Sequence, residues 1–370
     1  MTTKNSLLQE EQKLSSVLRE DFHRGNLKRS IKRDYNDLKE YFLDEHRKQH
    51  LEKLWVVPRW LLLSWWLVKA LLLKLTPPRR IALLVGCLLI FFSKAIQFQG
   101  QSIRIESDTS AAGALILLFV LMLELKDKLV AREELESGRA IQSALMPERS
   151  PSVDGWSLFL FSRTANEVGG DLVDFQEVAV DRFGISLADV AGKGLRAALL
   201  MAKLQASLRA LAPDNKSLSE LGKKINQIFY RDGIRNIFAS LVYLEIGKNS
   251  GKVHLINAGH IPPIVIRRNT LEELSKGKPA IGIFPETEYT EEELTLERGE
   301  SVLIYSDGLT DAKNETGEFY GSNRVQHLLR QLPNLSALEM GESIVREIDR
   351  FIGEAKIFDD LSLILLKRTG

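Results

Sequence analysis

Aspartates beside glycines or at the ends of apolar runs recur in the second half of the chain, and such carboxylates can hold divalent cations. The stretch NEVGGDLVDF, residues 166–175, contains two of them, Asp171 and Asp174. Others follow at Asp189, Asp307, Asp359 and Asp360. Each one alone is more often a turn residue than a ligand. Together they indicate a common site, because loops at strand ends present functional groups from a rigid scaffold.

The composition narrows the chemistry that these residues can do. The chain has 370 residues, a net charge of +1, one cysteine and six histidines. The single cysteine, Cys87, excludes an intrachain disulfide and a multi-cysteine zinc site, and its apolar surroundings exclude a cysteine nucleophile. The small net charge argues against nucleic acid as a partner. A bound metal would need oxygen ligands, which favours magnesium or manganese.

The elements that must position the aspartates are short β-rich runs separated by helical stretches. The runs end in turn residues or carry turn signals, and they include WSLFLFS, FGISLADV, IFASLVYLEI, KVHLINAGH, ESVLIYSDG and DLSLILLKR. This pattern is typical of strands and their turns. Helix-period patterns lie at about residues 194–211, 217–230 and 335–353. We therefore predict one α/β domain over residues 150–370, with antiparallel sheets packed together and helices outside.

The N-terminal third has a different composition. Residues 1–53 are charged, carry helix-period leucines and predict a cytoplasmic helical arm. Apolar stretches follow at residues 54–75, 81–98 and 110–125. The first contains four tryptophans and several basic residues, which predicts an interfacial or spanning helix. The other two predict transmembrane helices, and the region 54–125 as a whole is interpreted as a membrane region.

Basic residues suggest how this region is oriented. They flank the second and third apolar stretches, whereas the loop between, QGQSIRIESDTS, has one. The loop is therefore expected outside and both ends in the cytoplasm, so we predict a multi-pass protein of the cytoplasmic membrane with its C-terminal domain in the cytoplasm. Buried helices of a soluble domain are the alternative. A connector helix over residues 126–149 can pair with its copy in a homodimer or serve as a solvated linker.

Five motifs occur in the order, and at about the spacing, of a known family. They are EVGGDLVDF, LADVAGKGLRAALLMAKL, NAGHIPP, LIYSDGLTDAKNETGEFYG and DDLSLILL. In these motifs the chain resembles the SpoIIE-type (RsbU-like) bacterial serine/threonine phosphatases, a branch of the metal-dependent PPM class. The resemblance covers about residues 139–368 and leaves the membrane region outside. It implies a PPM-type phosphatase domain of two packed antiparallel β-sheets flanked by α-helices.

The resemblance also implies a site with two Mn(II) or Mg(II) ions. Asp171 and Asp189 match the aspartates that bridge or contact the two ions and act through the water between them. Asp307 and Asp359 match the outer carboxylate ligands, and the Val190 carbonyl would add another oxygen. Two cations that share a water lower its pKa, so it can attack phosphorus in line without a protein nucleophile.

Further residues are expected to hold these metal ligands in place without binding the ions themselves. They are Gly170, Asp174, Asn257, His260 and Asp360. Asp174 is expected to support Asp171 or cap a helix, and the glycine to let the backbone approach the ions. His260 is either a general acid for the leaving oxygen or, as we favour, a partner of its own turn. No arginine matches the phosphate-binding arginine of the eukaryotic relatives, and Arg163 is the nearest.

The activity implied is hydrolysis of phosphoserine or phosphothreonine on a regulatory protein, such as a phosphorylated STAS-type anti-sigma-factor antagonist. Two other functions fit single features. A diguanylate cyclase shares only GGD, since Leu172 and Val173 follow here in place of an acid and a phenylalanine. A non-catalytic membrane scaffold would not need the metal-binding aspartates, and their retention counts against it.

Overall fold

The computed structural model describes residues 56–92, 109–232, 237–268, 270–332 and 335–370. The predicted arm over residues 1–53 lies outside these ranges, as does almost all of the predicted outer loop. The chain divides into two compact units, residues 1–128 and 129–370. The boundary falls within one long helix.

Three helices are described for the first unit and its boundary. Helix α1 is Val56–Lys74, α2 is Pro77–Phe91, and α3 is Ser110–Leu145. The guanidinium of Arg80 donates to three carbonyls at the end of α1, those of Leu72, Leu73 and Leu75. It thereby satisfies acceptors that a helix end leaves free. Helices α2 and α3 pack closely, since a Cβ at Gly113 would lie 2.6 Å from the Gly86 carbonyl oxygen.

No helix in the described ranges is both long and apolar enough to cross a membrane. The transmembrane helices predicted at residues 81–98 and 110–125 are therefore not confirmed. Helix α2 has 15 residues and ends at Phe91, and residues 93–98 lie outside the description. The apolar part of α3 runs on into Glu124, Lys126 and Asp127 within the same helix.

The second unit is built on two five-stranded antiparallel sheets. The first sheet has the order β1-β10-β9-β6-β7, with strands Trp156–Arg163, Leu361–Arg368, Ser301–Tyr305, Ile264–Ile266 and Leu271–Glu273. The second has the order β2-β3-β4-β5-β8, with strands Asp171–Ala179, Arg182–Val190, Ala239–Gly247, Lys252–Ala258 and Glu292–Thr295. This architecture confirms the predicted α/β class with two antiparallel sheets.

Helices cover the outer faces of both sheets. Helices α4 (Leu195–Leu211) and α5 (Leu218–Asp232) pack on the second sheet, and α7 (Ala337–Ile352) packs on β1 and β10 of the first. Helix α6 is Ser322–Leu329. Helices α4, α5 and α7 confirm the three predicted helical stretches to within a few residues. Helix α7 begins with a capping box in which Ser336 and Glu339 exchange hydrogen bonds, a favourable start for a helix.

Alternating side chains divide the core into layers. On β1, Leu158 and Leu160 face the space between the sheets, whereas Phe159 and Phe161 face α7. The same alternation on β3 sends Ile185 and Leu187 between the sheets. Successive strand residues point to opposite faces, so strands with apolar residues at every position are buried on both sides. These layers fix the two sheets rigidly against each other.

The strand order brings the acidic strand ends to one edge of each sheet. In the second sheet β2 begins at Asp171, directly opposite Asp189 near the end of β3. In the first sheet β9 ends just before Asp307, and β10 starts just after Asp360. Neighbouring antiparallel strands begin and end at the same edge. The second sheet therefore presents Asp171 and Asp189 at one edge, and the first sheet presents Asp307 and Asp360 at one edge.

Candidate metal centre

Asp171 and Asp189 form the centre of the acidic cluster. They are direct cross-strand partners, so their side chains leave the same face of the second sheet, with Cβ atoms about 5 Å apart. Asp171 is buried, and its Oδ2 has no hydrogen-bond partner among the described residues. A buried carboxylate oxygen without a donor is costly unless a cation or a water satisfies it.

Burial and neighbouring carboxylates raise the pKa of Asp171, Asp189 and Asp307. Burial raises the pKa of Asp171 well above its usual range, and the charge of Asp189 adds to the effect. Burial, followed by the charges of Asp307, Asp359 and Asp360, raises the pKa of Asp189 to about 6. Burial and Asp359 also raise the pKa of Asp307. The five predicted aspartates, Asp171, Asp189, Asp307, Asp359 and Asp360, therefore lie close enough to interact electrostatically. A bound cation would neutralise their negative charge.

Asp360 orders the GGD turn rather than presenting free oxygens. Its Oδ1 accepts from the Ala165 N–H and its Oδ2 from the Gly170 N–H, both at 2.7 Å. The two bonds join the start of β10 to the turn before β2, and hence the first sheet to the second. Gly170 also needs its small size, because a Cβ there would lie 3.1 Å from the Val190 carbonyl oxygen. This places the predicted Val190 ligand beside the turn.

Asn257 and His260 satisfy each other and their surroundings. The Asn257 amide accepts from the His260 N–H at 2.9 Å and donates to the His260 carbonyl at 3.1 Å. The imidazole pairs with Ser240 Oγ through Nδ1 and with the Tyr305 carbonyl through Nε2. Burial lowers the pKa of His260 to about 4, so the ring is neutral near pH 7. These contacts agree with the turn interpretation and disfavour a general acid.

Asp174 has a different environment from the one that the sequence suggested. It lies within β2, away from any helix start, so the helix-capping interpretation is wrong. Its carboxylate receives two hydrogen bonds from Arg209, at 2.6 and 2.9 Å, and one from Gln205. Both donors belong to α4. Asp174 therefore fixes α4 against β2, because a bidentate ion pair between the buried Asp174 carboxylate and the partly exposed Arg209 holds both partners in one geometry.

Two functional contacts were missed by sequence reasoning. The Gln142 side chain near the end of α3 donates to the Gly169 carbonyl at 2.9 Å and accepts from the Gly169 N–H at 3.1 Å. Lys193, between Gly192 and Gly194, lies 2.9 Å from Asp359 Oδ2. The signal for Lys193 was its place between two glycines that adopt positive φ, 116° and 74°. Arg163, by contrast, pairs with Asp349 of α7 and does not join the cluster.

The donor chemistry of the cluster fits hard cations. Several carboxylates, a buried carboxylate oxygen without a donor and a neighbouring carbonyl form an all-oxygen set of the kind that Mg(II) or Mn(II) prefers. Across the described part of the chain, however, no three acidic, histidine or cysteine side chains stand close enough to hold a metal ion. Asp359 is engaged by Lys193 instead.

Fold and motifs together define the class. A family model described as Stage II sporulation protein E (SpoIIE) matches residues 179–369, and the chain belongs to this family. Its fold resembles the SiaA-PP2C domain of Pseudomonas aeruginosa, with a TM-score of 0.55, 21% identity, and coverage of 66% of this chain and 99% of that one. The second unit thus has a PP2C-type fold.

Two curated relatives are similar to about two thirds of the chain. Protein IcfG of Synechocystis sp. is 29% identical over 274 residues, which is 66% of this chain and 43% of that protein. Phosphoserine phosphatase RsbU of Bacillus subtilis is 25% identical over 239 residues, covering 64% of this chain and 70% of RsbU. The chain thus spans less than half the length of IcfG.

Proposed function

We propose that this chain is a metal-dependent protein serine/threonine phosphatase that hydrolyses phosphoserine or phosphothreonine on a regulatory protein in signalling. The observation that carries the proposal is the buried Asp171, which faces Asp189 and has an oxygen without a donor. Membership in the SpoIIE family and similarity to a phosphoserine phosphatase support it. A phosphorylated STAS-type anti-sigma-factor antagonist remains our predicted substrate. The GGD turn alone no longer favours a diguanylate cyclase.

In this proposal Asp171, Asp189, Asp307, Asp359 and the Val190 carbonyl would hold two Mn(II) or Mg(II) ions. Such ions, when bound, lower the pKa of a shared water and neutralise the phosphoryl oxygens. The chain's own residues keep these oxygens in place. Asp360 holds the GGD turn through two backbone N–H groups, and neutral His260 holds the strand end at Tyr305. Preorganised ligands of this kind cost little reorganisation during the reaction.

The direct test is release of inorganic phosphate from a phosphoserine protein by the full chain, measured with and without Mn(II). We expect release to require the metal, because the carboxylates repel one another and one Asp171 oxygen has no hydrogen-bond partner within the described part of the chain. Removal of the metal with EDTA should stop the reaction, and added Mn(II) should restore it. Metal-independent release would refute the metal mechanism, and no release under any condition would refute the phosphatase proposal and favour a non-catalytic scaffold.

We also propose that the first unit attaches to a membrane surface, in place of the multi-pass crossing that the sequence predicted. Large apolar side chains on α2 and α3 are exposed, including Phe91 (86%) and Phe119 (62%). Arg79, at the start of α2, is engaged by Glu124 and Asp127 of α3, whereas the neighbouring Lys126 keeps 66% of its side chain exposed beside this apolar surface. Apolar side chains next to basic groups suit the boundary of a bilayer.

Flotation of the full chain with vesicles containing anionic lipid tests this attachment. The wild type is expected to float, and the double change Phe91→Glu and Phe119→Glu to reduce the floating fraction about tenfold, because two exposed apolar contacts are lost. Val180→Glu alters an equally exposed apolar residue (88%) in the second unit and serves as the matched control. A wild type that stays with the soluble fraction would contradict attachment.

The homodimer through the connector helix stays a prediction. The molar mass of the full chain from light scattering would test it.

A further inference from the structure

A rim of two lysines and two phenylalanines lies beside the acidic cluster. We call it the cation–aromatic rim, and it consists of Lys193, Lys313, Phe319 and Phe358. The Lys313 ammonium lies 3.4 Å from the centroid of the Phe358 ring and 4.7 Å from that of Phe319. The Lys193 ammonium lies 5.5 Å from the Phe358 ring. Phe358 therefore stands between two cations, in direct sequence contact with Asp359.

The hairpin that carries half of the rim is held by its own hydrogen bonds. Lys313 and Phe319 pair as an isolated antiparallel bridge, and Asn314 Oδ1 accepts from the N–H groups of Thr316 and Glu318. Arg324 donates to the Phe319 carbonyl from outside the hairpin. An Asx turn with this many local bonds is stiff. The rim is therefore a preformed surface whose residues need little ordering when a ligand binds.

The nearby acidic side chains compensate the positive charge of the rim only in part. Glu318 is paired with Arg324 at 2.6 Å, and Glu315 accepts from the Glu354 N–H at 3.1 Å. Lys193 contacts Asp359 but keeps 58% of its side chain exposed. The rings are also open to solvent, with Phe319 47% and Phe358 43% exposed. Exposed aromatic rings beside cations suit a partner that has both apolar side chains and negative charge.

We propose that the cation–aromatic rim is the docking surface for the segment of the substrate that carries the phosphorylated residue, and that this segment is acidic. Acidic side chains next to the phosphoserine would face Lys193 and Lys313, and an apolar neighbour would pack on the two rings. The charge complementarity selects such a segment over a basic one. The rim adjoins Asp359, so a docked segment places its phosphate at the acidic cluster. This inference rests on the proposed phosphatase function.

Two synthetic phosphoserine peptides of equal length test the inference with the full chain. One has glutamates on both sides of the phosphoserine and the other lysines, and both have a leucine next to it. We expect kcat/KM to be about tenfold higher for the acidic peptide at low salt, and the preference to shrink as salt screens the charges. Lys313→Glu is expected to abolish or reverse this ratio. A uniform loss of activity cancels in the ratio, so it cannot imitate the result.

Two further variants separate the apolar and electrostatic parts. Phe319→Ala should raise KM about threefold or more for both peptides and leave their ratio unchanged, since it removes apolar area without charge. Lys223→Glu is the matched control and should leave the ratio at its wild-type value. Lys223 is an exposed lysine of α5, the helix that covers the second sheet. Equal kcat/KM for the two peptides in the wild type, or the same shift from both lysine variants, would overturn the inference.

Binding without turnover keeps this test separate from that of the proposed function. Fluorescence anisotropy of the labelled acidic peptide, in EDTA, reports docking alone. Tighter binding of the acidic peptide that is lost in Lys313→Glu supports the docking surface, even if neither peptide is hydrolysed and the phosphatase proposal fails. Equal binding of both peptides, with metal-dependent hydrolysis intact, refutes the docking surface alone.

Discussion

Replacing Asp189 by asparagine is expected to abolish phosphate release while making the metal-free protein more stable. The residue faces Asp171 across the sheet and feels the charges of Asp307, Asp359 and Asp360. In the proposed metal site this change removes a carboxylate ligand and with it stabilisation of the transition state, and we expect a loss in kcat of about a hundredfold or more. The same change removes repulsion between Asp189 and the neighbouring carboxylates, so activity and stability should move in opposite directions.

The sign of the stability effect follows from the pKa of Asp189. Its value of about 6 in the folded chain lies above the ordinary value of 3.8, so the folded state binds the proton more tightly. Stability from this group is therefore present at low pH and lost as pH rises through about 6. The charged carboxylate costs at most roughly 3 kcal/mol at neutral pH. Asparagine avoids this cost.

Thermal melting of the full chain in EDTA measures the effect. At pH 7.5 the Asp189→Asn variant should melt at a higher temperature than the wild type, and the difference should shrink toward pH 5. Added Mn(II) should raise the melting temperature of the wild type more than that of the variant. Asp214→Asn, at an exposed site between α4 and α5, is the control. Full activity of Asp189→Asn would refute the metal mechanism, and a lower melting temperature in EDTA would refute the repulsion.

Gly308→Ala should cost both activity and stability, although it adds only one methyl group. A Cβ at this position would overlap the Asp360 carbonyl oxygen and lie 2.7 Å from its carbonyl carbon. The obstacle is backbone, which cannot rotate away as a side chain can. Relief requires the turn after β9 to separate from the start of β10, which displaces Asp307 relative to Asp359. We expect phosphate release to fall about a hundredfold and stability by about 1–3 kcal/mol.

Gly138→Ala provides the comparison for this substitution. A Cβ there makes only an ordinary contact, 3.6 Å from Val168 Cγ1, and the residue lies inside α3. Alanine should therefore stabilise that helix slightly, by up to about 1 kcal/mol. Phosphate release and denaturant unfolding of both variants check the prediction. Wild-type activity and stability in Gly308→Ala would contradict the prediction, because the turn would then accommodate the added methyl group without displacing Asp307.

The sequence pattern predicted the parts of the fold that depend on local periodicity. Short β-rich runs ended by turn residues identify strands such as β1 and β3, and aspartates at strand ends identify the edge where the candidate site lies. Antiparallel order then brings Asp171 opposite Asp189, a consequence of strand ends meeting at one edge. Each of these strands and turns can be recognised from a few consecutive residues of the sequence.

Other parts of the site depend on contacts between segments far apart in the chain. Asp360 accepts from the Ala165 N–H although the two residues are 195 positions apart, and Lys193 reaches Asp359 across 166 positions. No local pattern distinguishes a carboxylate that binds a backbone turn from one that binds a metal. Asp174 was misjudged for the same reason, because its partner Arg209 lies on another element. In the N-terminal third, apolar length predicted membrane crossing, but α2 ends at Phe91.

The paired hydrogen bonds of Gln142 make the GGD turn sensitive to the register of α3. One side-chain amide both donates to and accepts from Gly169, whose buried N–H would otherwise lack a partner at a cost of about 1–3 kcal/mol. A shift of the helix by one residue turns its surface by about 100° and would bring Ile141 or Ser143 to this position. The isoleucine offers neither group, and serine is too short to span both. Only one rotational setting of α3 therefore completes the turn that precedes Asp171.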